Sequence, residues 1–304
     1  MNSLKIALCL FPFLVAPLRA QEIAPKPLPA IRLEQRASAG QRIFVARVDL
    51  ADAGVDVRVA RGGADPDGDG PYQTTLQPLT LVAEREHFEL AINGDFFLAR
   101  STADIEGAKS GFTADKWASA VGPAVTDGFA WAPAARARPA LTIDADKNAR
   151  ILALKDVPAD ARQVIAGSDI LVQGGKSALA NTSAFALNRH PRTAVGLSDA
   201  GKTLICVVVD GRAAPDAVGM SLGELTDLML SLGCKDALNL DGGGSSEMVM
   251  RDAKTGQLRV LNQPSDGRER AIANALGISI RGSLRVPGVV EVPANSFLRL
   301  QKSE

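Results

Sequence analysis

The part of the sequence that most constrains the fold is a pair of β-rich runs in its C-terminal half. Residues 193–197 and 203–209 are rich in β-branched and other apolar side chains, and a short polar segment separates them. This pattern predicts a β-hairpin, with Ala200 and Gly201 as a two-residue loop. In that register position 192 faces position 209, at the end of the hairpin away from the turn.

A helix and a further strand follow the hairpin. Ser221 and Glu224 stand three residues apart, as in a capping box, and apolar residues recur at helical spacing behind them. Gly233 occupies a position at which glycine commonly ends a helix. Residues 237–240 then form another apolar run. Strand, helix and strand at this length predict a βαβ unit, in which the two strands run parallel.

Two aspartates follow the strands of this predicted unit, Asp210 after the first strand and Asp241 after the second. Parallel strands place their carboxyl ends at the same edge of a sheet, and open α/β sheets bind ligands at that edge. Arg192 begins the hairpin strand at the same end. We therefore expect Asp210, Asp241 and Arg192 to lie together at a ligand-binding edge.

The fold class predicted for the whole chain is α+β. We expect a mixed β-sheet core with flanking helices, including the C-terminal hairpin followed by the βαβ unit. Residues 119–140 are rich in Ala, Pro and Gly, and they are expected to form irregular surface or a long insertion.

Composition excludes several classes of protein. Lys and Arg number 34 and Asp and Glu also number 34, so the chain lacks the broad positive field of a nucleic-acid-binding protein. Two histidines are too few for a three-His zinc centre. Aromatic residues make up 4% of the chain, which leaves little material for stacking surfaces.

The chain divides into four predicted segments. Residues 1–20 carry a basic residue, a short apolar run and then small residues, and they predict a secretory signal peptide. Residues 21–39 contain several prolines and predict a Pro-rich linker. Residues 40–282 form the main domain, and residues 283–304 are a C-terminal extension. We therefore expect a secreted or periplasmic protein with no membrane span in the mature chain.

Two cysteines, Cys206 and Cys234, remain after the predicted signal peptide. Cys206 lies in one strand of the predicted βαβ unit and Cys234 directly before the other. An oxidising compartment permits a disulfide between them, and we predict one. Two small buried thiols are the alternative.

A glycine-rich loop follows the last predicted strand and comprises Asp241, Gly242, Gly243, Gly244, Ser245 and Ser246. Glycines let the backbone approach a ligand closely, and successive N–H groups in such a loop can form an anion-binding concavity. The two hydroxyl groups can donate to phosphate oxygens. A tight turn between strands is the alternative, but such a turn does not require three glycines and two serines.

Further polar residues stand at positions where ligands commonly bind. A buried strand predicted over 88–92 runs directly into Asn93, Gly94 and Asp95. His190 precedes the hairpin strand by two residues and is close enough to share its site. A histidine in a surface loop is the alternative interpretation.

A dense polar loop over 262–270 contains Asp266, Glu269 and Arg270 and precedes the last apolar stretch. Loops of this composition ordinarily face solvent, so a place in a binding site is one of two interpretations.

Six short segments occur along the chain in a particular order: 93–97, 192–196, 209–212, 219–225, 239–246 and 264–270. Together they resemble the phosphodiester glycosidase family, over residues 40–282. The resemblance implies a catalytic domain that hydrolyses the bond between a sugar's anomeric carbon and a phosphodiester oxygen. It also implies a carbohydrate phosphodiester as the partner, and no nucleic acid.

This implied activity gives roles to the candidate residues. Asp241 and Asp210, with Glu269 behind them, are the expected catalytic carboxylates, because an oxocarbenium-like transition state needs a nucleophile or a base for water. Arg192 and the glycine loop are expected to neutralise the leaving phosphate. The predicted substrate-binding residues are Asn93, Gly94, Asp95, His190, Gly242, Gly243, Gly244, Ser245, Ser246, Asp266 and Arg270.

Two other activities fit the same residues. A metal-dependent phosphodiesterase would break the P–O bond and hold Mg²⁺ or Ca²⁺ with aspartates. Apart from that divalent cation, no cofactor and no metal ligand are expected. A non-catalytic envelope protein that binds anionic glycan is the third possibility, which the scarcity of aromatic residues disfavours.

Overall fold

The computed structural model describes residues 30–38, 40–100, 111–133, 137–252 and 255–281. The predicted signal peptide, the first part of the predicted linker and the C-terminal extension lie outside the described residues. No helix within those described ranges is long and apolar enough to cross a membrane.

Twenty strands and three α-helices occur in the part of the chain that the structure describes, so the fold is mostly β and broadly compatible with the α+β class. The helices are α1 Leu79–Arg85, α2 Ala184–Leu187 and α3 Leu222–Ser231. The strands are β1 Ile31–Ser38, β2 Gln41–Asp49, β3 Val55–Arg61, β4 Thr74–Thr75, β5 Leu90–Asn93, β6 Phe97–Ala99, β7 Trp117–Ala120, β8 Ala124–Thr126, β9 Phe129–Ala132, β10 Arg138–Asp144, β11 Ala149–Leu154, β12 Ala161–Ala166, β13 Ile170–Gln173, β14 Lys176–Ser177, β15 Arg192–Ser198, β16 Thr203–Val209, β17 Asp236–Asn239, β18 Met248–Arg251, β19 Leu258–Val260 and β20 Asn274–Ile280.

The strands form four sheets. The seven-stranded sheet has the order β1-β2-β16-β15-β17-β13-β14. The β5 sheet has the order β19-β18-β5-β20-β3, and the β10 sheet has the order β11-β10-β12-β8-β9. Strands β4, β7 and β6 form a small fourth sheet.

The main core lies where the inner faces of the three large sheets meet. Leu204 of the seven-stranded sheet, Ile92 and Leu276 of the β5 sheet, and Ile165 of the β10 sheet are buried in one cluster. Such apolar strand faces fold together because burial of apolar surface is the dominant favourable contribution to folding. The core therefore fixes the three sheets against one another.

Two helices flank these sheets from outside. Leu225 and Met229 of α3 pack on the outer face of the seven-stranded sheet, and Leu79 of α1 packs on the outer face of the β5 sheet. The predicted capping box is present at the start of α3, where Ser221 Oγ accepts from the amide of Glu224 at 3.2 Å. The helices thus flank a β core, as predicted.

The predicted hairpin is confirmed. Strands β15 and β16 pair antiparallel, with Arg192 opposite Val209 and Ser198 opposite Thr203. This is the register that we predicted from a loop at Ala200 and Gly201.

The predicted βαβ unit needs a correction. Strands β16 and β17 are not neighbours, because β15 lies between them and pairs antiparallel with both. The two outer strands still run in the same direction, with α3 as the crossover. Asp210 and Asp241 therefore follow strand ends at the same edge, as expected.

The predicted linker is wrong over its last residues. Residues 31–38 form β1, which pairs with β2 from Ile31 opposite Val48 to Ser38 opposite Gln41. The prediction of irregular structure over 119–140 is also wrong, because that segment contains β8 and β9, which pair with each other, and part of β10. In both segments pairing with partners distant in sequence decides the structure.

The predicted disulfide is wrong, since Cys206 and Cys234 are free and buried. Cys206 faces the main core, whereas Cys234 packs in the layer beneath α3, on the other side of the sheet. Burial raises the pKa of both thiols to about 12.

Candidate functional site

The ends of strands from two sheets meet at the buried side chain of Asn93. Its Nδ2 donates to the carbonyl oxygen of Asp241 over 2.8 Å. Its Oδ1 accepts from Thr193 Oγ1 at 2.7 Å and from the amide of Glu247 at 3.1 Å. We expected Asn93 to hold sugar hydroxyls, but its side chain is committed to protein groups. Asn93 instead joins the acidic strand ends.

Gly94 forms the second connection between these strand ends. Its carbonyl oxygen accepts from the amide of Asp241 at 2.9 Å. A Cβ at this position would lie 2.1 Å from Oδ1 of Asn274, so only glycine fits here. Like Asn93, Gly94 belongs to the framework of the site.

The carboxyl group of Asp241 lies at this junction, and one of its oxygens accepts from the amide of Gly242 at 2.8 Å. Asp241 is partly exposed to solvent, yet protein atoms surround its carboxyl group, and that burial raises its pKa to about 7. The charge of Asp95 raises the pKa further, while Ser245 and Arg270 lower it. The Ser245 hydroxyl lies near enough to lower the pKa of Asp241, although its geometry is not that of a regular hydrogen bond.

The carboxyl group of Asp95 lies near enough to that of Asp241 for its charge to raise the pKa of Asp241. Its Oδ2 accepts from the amide of Gly122 at 2.8 Å, and its Oδ1 lies 3.5 Å from Nη2 of Arg138. Burial raises the pKa of Asp95 to about 6, against the charge of Arg138 and the Gly122 hydrogen bond, which lower it. Two acids with raised pKa values can hold or transfer a proton near neutral pH.

A second acidic pair joins Glu247 to Glu269. Glu247 is 1% exposed. Burial raises its pKa to about 9, and the charge of Glu269 and a hydrogen bond with it act in the same direction. Glu269 also accepts from Thr80, at the start of α1, at 2.7 Å from Oγ1. Glu247 is therefore protonated at neutral pH, and the hydrogen bond with Glu269 favours that form. Our sequence analysis missed Glu247, although it directly follows the glycine loop.

The glycine loop is a tight turn in this structure. The amide of Gly243 donates to the carbonyl oxygen of Pro191 at 2.9 Å. The amides of Ser245 and Ser246 bond back to carbonyl groups of the loop at 3.2 Å. The predicted row of N–H groups directed at a phosphate is therefore wrong for these three amides, because the turn itself uses them.

Gly244 is needed where the loop passes Arg270 and Asp266. A Cβ at this position would lie 2.1 Å from Nη2 of Arg270 and 2.4 Å from Oδ1 of Asp266. Arg270 and Asp266 form an ion pair of 2.8 Å. The structure thus brings both residues against the loop, near enough for Arg270 to lower the pKa of Asp241.

Arg212, in the segment that follows β16, is an exposed arginine that was not among the predicted site residues. A Cβ at Gly243 would lie 3.0 Å from Nη2 of Arg212, so the guanidinium group rests against the loop. Arg212 Nη1 lies 3.5 Å from Ser265 Oγ. Its signals in the sequence were its position two residues after Asp210 and its place in the 209–212 segment, since a single loop arginine has no spacing pattern.

Arg192 is fully buried, contrary to the role predicted for it. Its Nε donates to the carbonyl oxygen of Met220 at 2.9 Å, and its Nη2 donates to those of Phe185 and Asn188 at 2.6 and 2.9 Å. Burial lowers its pKa to about 10. Two of its three guanidinium nitrogens donate to backbone carbonyl groups, so Arg192 cannot bind a phosphate in the bidentate manner that we predicted.

His190 lies at the rim of the site with an aromatic cluster. It stacks on Phe185 with ring centroids 6.5 Å apart, and Phe185 meets Phe96 edge-on at 5.9 Å. Burial lowers the pKa of His190, and the charges of Arg192 and Arg212 lower it further. The imidazole is therefore neutral at neutral pH, beside the exposed arginine.

Asp210 is held by protein groups instead of facing a substrate. Asn262 donates to it from Nδ2 at 3.1 Å, the amide of Gln263 donates at 3.0 Å, and Arg42 forms an ion pair of 3.3 Å. Asn262 Nδ2 also donates to the carbonyl oxygen of Ser246 at 3.0 Å. Burial nevertheless raises the pKa of Asp210. These contacts make Asp210 an anchor for the 262–263 loop, and not the catalytic carboxylate that we expected.

Several buried polar atoms at this edge make no regular hydrogen bond with protein. They are Arg192 Nη1, Ser246 Oγ, Glu247 Oε1 and Asn274 Nδ2. Most buried polar groups in proteins have a partner, so such a concentration indicates contact with a polar ligand or with water. In the described ranges, no three His, Cys, Asp or Glu side chains are grouped so that they could hold a metal ion.

The phosphodiester glycosidase family model matches residues 87–279, and the chain belongs to that family. The matched region contains every acidic residue of the site described above. The resemblance drawn from the six sequence segments is thereby confirmed.

One curated relative is an uncharacterised SPbeta prophage-derived protein, YomE, of Bacillus subtilis. It is 35% identical over 142 residues, which are 44% of this chain and 21% of the relative. The chain thus matches about a fifth of the length of that relative.

Solved structures share the fold. The catalytic domain of zebrafish N-acetylglucosamine-1-phosphodiester alpha-N-acetylglucosaminidase, which is auto-inhibited by its pro-peptide, has a TM-score of 0.63 at 21% identity, covering 83% of this chain and 84% of that one. A hypothetical protein from Synechocystis has a TM-score of 0.61 at 16% identity, covering 83% and 62%. A protein from Burkholderia pseudomallei, described as exported, has a TM-score of 0.55 at 18% identity, covering 79% and 74%.

Proposed function

We propose that this protein hydrolyses the C1–O bond of a sugar-1-phosphodiester in a glycan or envelope polymer. The observation that carries the proposal is a pair of buried carboxyl groups at this junction, Asp241 and Asp95, whose pKa values are raised to about 7 and about 6, with Arg212 and Arg270 lying against the glycine loop. Family membership supports a hydrolase that acts on sugar phosphodiesters.

Asp241 acts at the sugar. As a carboxylate it either attacks the anomeric carbon or takes a proton from the water that does so, and it stabilises the positive charge that develops on the ring. The C1–O bond breaks, its electron pair leaves with the phosphate, and water supplies the hydroxyl group of the free sugar. The charge of Asp95 raises the pKa of Asp241 and so favours its protonated form.

Arginines act at the phosphate. The guanidinium group of Arg212 is exposed and lies against the loop at Gly243, and that of Arg270 lies against it at Gly244. A phosphate monoester has a second pKa near 6, so it leaves as a stable anion once its charge is neutralised.

Three residues predicted to meet the substrate act instead by positioning. Asn93 ties Asp241 to β5, Asp210 holds the loop that carries Asn262, and Arg192 fixes the backbone around Phe185. These buried polar contacts keep the site rigid, which lets its charges stabilise a transition state without reorganisation.

We also propose export, with the mature chain beginning near Gln21. The basic residue and apolar run at the start of the sequence support this. N-terminal sequencing of protein from the extracellular or envelope fraction tests it, and an intact Met1 on that protein contradicts it.

Product analysis tests the proposed activity. The substrates are a panel of sugar-1-phosphodiesters that begins with the methyl phosphodiester of N-acetylglucosamine-1-phosphate and extends to wall-polymer and capsule fragments. An aryl glycoside without phosphate is the matched control. We expect free reducing sugar from at least one phosphodiester and little from the aryl glycoside. Activity lost in EDTA and restored by Mg²⁺ would instead support the metal-dependent phosphodiesterase.

A further inference from the structure

A second cleft lies outside the acidic site. It has a volume of about 590 Å³ and runs between the end of α1 and the β8–β9 hairpin. Arg61 and Arg58 of β3 line one side, and Phe129 and Trp131 of β9 line the other. Neither the family nor the acidic site accounts for this cleft.

Two aromatic rings shape the cleft, in a chain that has few. Phe129 is 66% exposed, and the guanidinium carbon of Arg61 lies 5.9 Å from the centre of its ring. The same guanidinium lies 5.0 Å from the ring of Trp131, whose Nε1 donates to Thr126 Oγ1 at 2.9 Å. A solvent-exposed ring held by neighbouring groups is an apolar platform on which the flat face of a ligand can pack.

The arginines of the cleft are already paired, so the cleft does not select an anion. Arg58 Nε donates to Asp127 at 2.9 Å, and Arg85 Nε donates to Glu86 at 2.8 Å. Arg61 lies 3.5 Å from Asp65. Guanidinium and carboxylate groups around the rings offer both donors and acceptors, which suits neutral hydroxyl groups better than phosphate.

The cleft is connected to the acidic site through neighbouring strands. Arg61 at the end of β3 pairs with Asn274 at the start of β20. Asn274 Oδ1 in turn accepts from the amide of Asp95 at 2.7 Å. Strands β3 and β5 are two strand spacings apart, about 10 Å. A chain of a few sugar units can reach from one place to the other.

We propose that this cleft binds the neutral sugar units that flank the scissile phosphodiester in a chain substrate. The proposal rests on the proposed function, and it specifies that the substrate of that reaction is a polymer. One sugar ring packs on Phe129, and its hydroxyl groups bond to the paired side chains of the cleft. A peptide is disfavoured, because Ala60 and Ala64 are the only aliphatic side chains among the lining residues.

Binding to an array of neutral and phosphodiester-linked oligosaccharides tests the proposal. The wild type is compared with Phe129→Ala and with Leu98→Ala, whose side chain is 68% exposed on β6 and outside the lining. We expect at least one oligosaccharide to bind, about tenfold more weakly in Phe129→Ala and equally in Leu98→Ala. Because both side chains are exposed, both variants should fold, which circular dichroism checks.

Tryptophan fluorescence locates the bound ligand. The chain has two tryptophans, so Trp117→Phe leaves Trp131 in the cleft as the single emitter. We expect its emission to change in proportion to occupancy by the oligosaccharide selected on the array. Binding with no change at Trp131 overturns the proposal, and so does an array on which nothing binds or on which Phe129→Ala binds as well as the wild type.

Kinetics separate this proposal from the proposed function. The ratio of kcat/KM for a phosphodiester-linked chain to that for the methyl phosphodiester should fall about tenfold in Phe129→Ala and hold in Leu98→Ala. If oligosaccharides bind in a way that depends on Phe129 but no substrate is hydrolysed, the cleft is a sugar-binding site and the proposed activity is refuted. If the substrates are hydrolysed and this kcat/KM ratio is the same in Phe129→Ala as in the wild type, the cleft does not bind the substrate chain. The proposed activity then stands.

Discussion

Asn93 donates its side-chain amide to the carbonyl oxygen of Asp241 over 2.8 Å and so joins the end of β5 to the end of the seven-stranded sheet. The same side chain accepts from Thr193 and from the amide of Glu247. Asn93 is therefore a buried junction between two sheets, and it fixes the backbone at Asp241 and Glu247. Rigid elements of this kind hold charged groups in place more accurately than a mobile loop would.

We expect Asp241→Asn to lower kcat for sugar-1-phosphodiesters by at least about a hundredfold, because the variant keeps the shape of the loop and loses the charge that stabilises the transition state. At about pH 4, where the Asp241 side chain is uncharged in the folded protein, its melting temperature should change little. Steady-state kinetics and calorimetry measure the two effects. Turnover near the wild-type value would remove Asp241 from the mechanism.

Asp210→Ala is the matched variant at the same sheet edge. It removes the carboxylate that accepts from Asn262 Nδ2 and from the amide of Gln263, and each lost bond to a charged group is worth about 1.5–3 kcal/mol. We expect a clear loss of unfolding free energy in urea and a fall in kcat of less than about tenfold. A hundredfold loss of kcat in a stable Asp210→Ala protein would restore Asp210 as a catalytic carboxylate.

Substitutions of Arg212 and Arg192 should have different effects, one on substrate binding and the other on stability. Arg212→Ala removes an exposed cation, so we expect KM for a phosphodiester to rise about tenfold with unchanged melting temperature. Arg192→Lys loses bonds to buried carbonyl groups and should destabilise the fold by about 1–3 kcal/mol. An Arg192→Lys protein that is stable yet binds phosphodiesters poorly would contradict this assignment.

Stability should fall as the pH rises from about 4 to about 7. Unfolded aspartates ionise near pH 4, whereas burial keeps Asp95 and Asp241 protonated up to about pH 6 and about pH 7 in the folded protein. The folded state therefore binds more protons in this window, so its unfolding free energy decreases with increasing pH. Asp241→Asn should flatten the profile, and an equal slope in both proteins would show that Asp241 titrates normally.

Gly244→Ala tests the close approach of the loop to Arg270. The added Cβ would displace Arg270 and Asp266, so we expect kcat/KM to fall by at least about tenfold. Gly223→Ala in α3 is the control, because its Cβ meets ordinary contacts and alanine favours helix by up to about 1 kcal/mol. Equal activity of the two variants would show that the Arg270–Asp266 pair is dispensable.

The sequence was sufficient to predict the hairpin, the capped helix and the shared edge of Asp210 and Asp241, since those depend on local patterns. It could not show that β15 enters the sheet between β16 and β17, because strand order depends on pairing between distant segments. The same holds for β1 and for β8 to β10, whose residues lack a clear alternating pattern.

Several residues predicted for the site make contacts that differ from the roles predicted for them. Arg192 and Asp210 are polar residues at strand ends, and sequence alone does not show whether such a side chain faces a ligand or a backbone carbonyl. Glu247 was missed because its raised pKa arises from burial against Glu269, twenty-two positions away in the chain. Only the folded structure brings those two carboxyl groups together.

Hydrolysis in H₂¹⁸O tests the central claim most directly, because it shows which bond breaks. The reaction is run on a sugar-1-phosphodiester that the protein turns over, and mass spectrometry locates the label in the two products. We predict that ¹⁸O appears at the anomeric carbon of the released sugar and that the phosphate monoester carries none. Label in the phosphate would show cleavage of the P–O bond and would contradict the assignment of this site as a glycosidase.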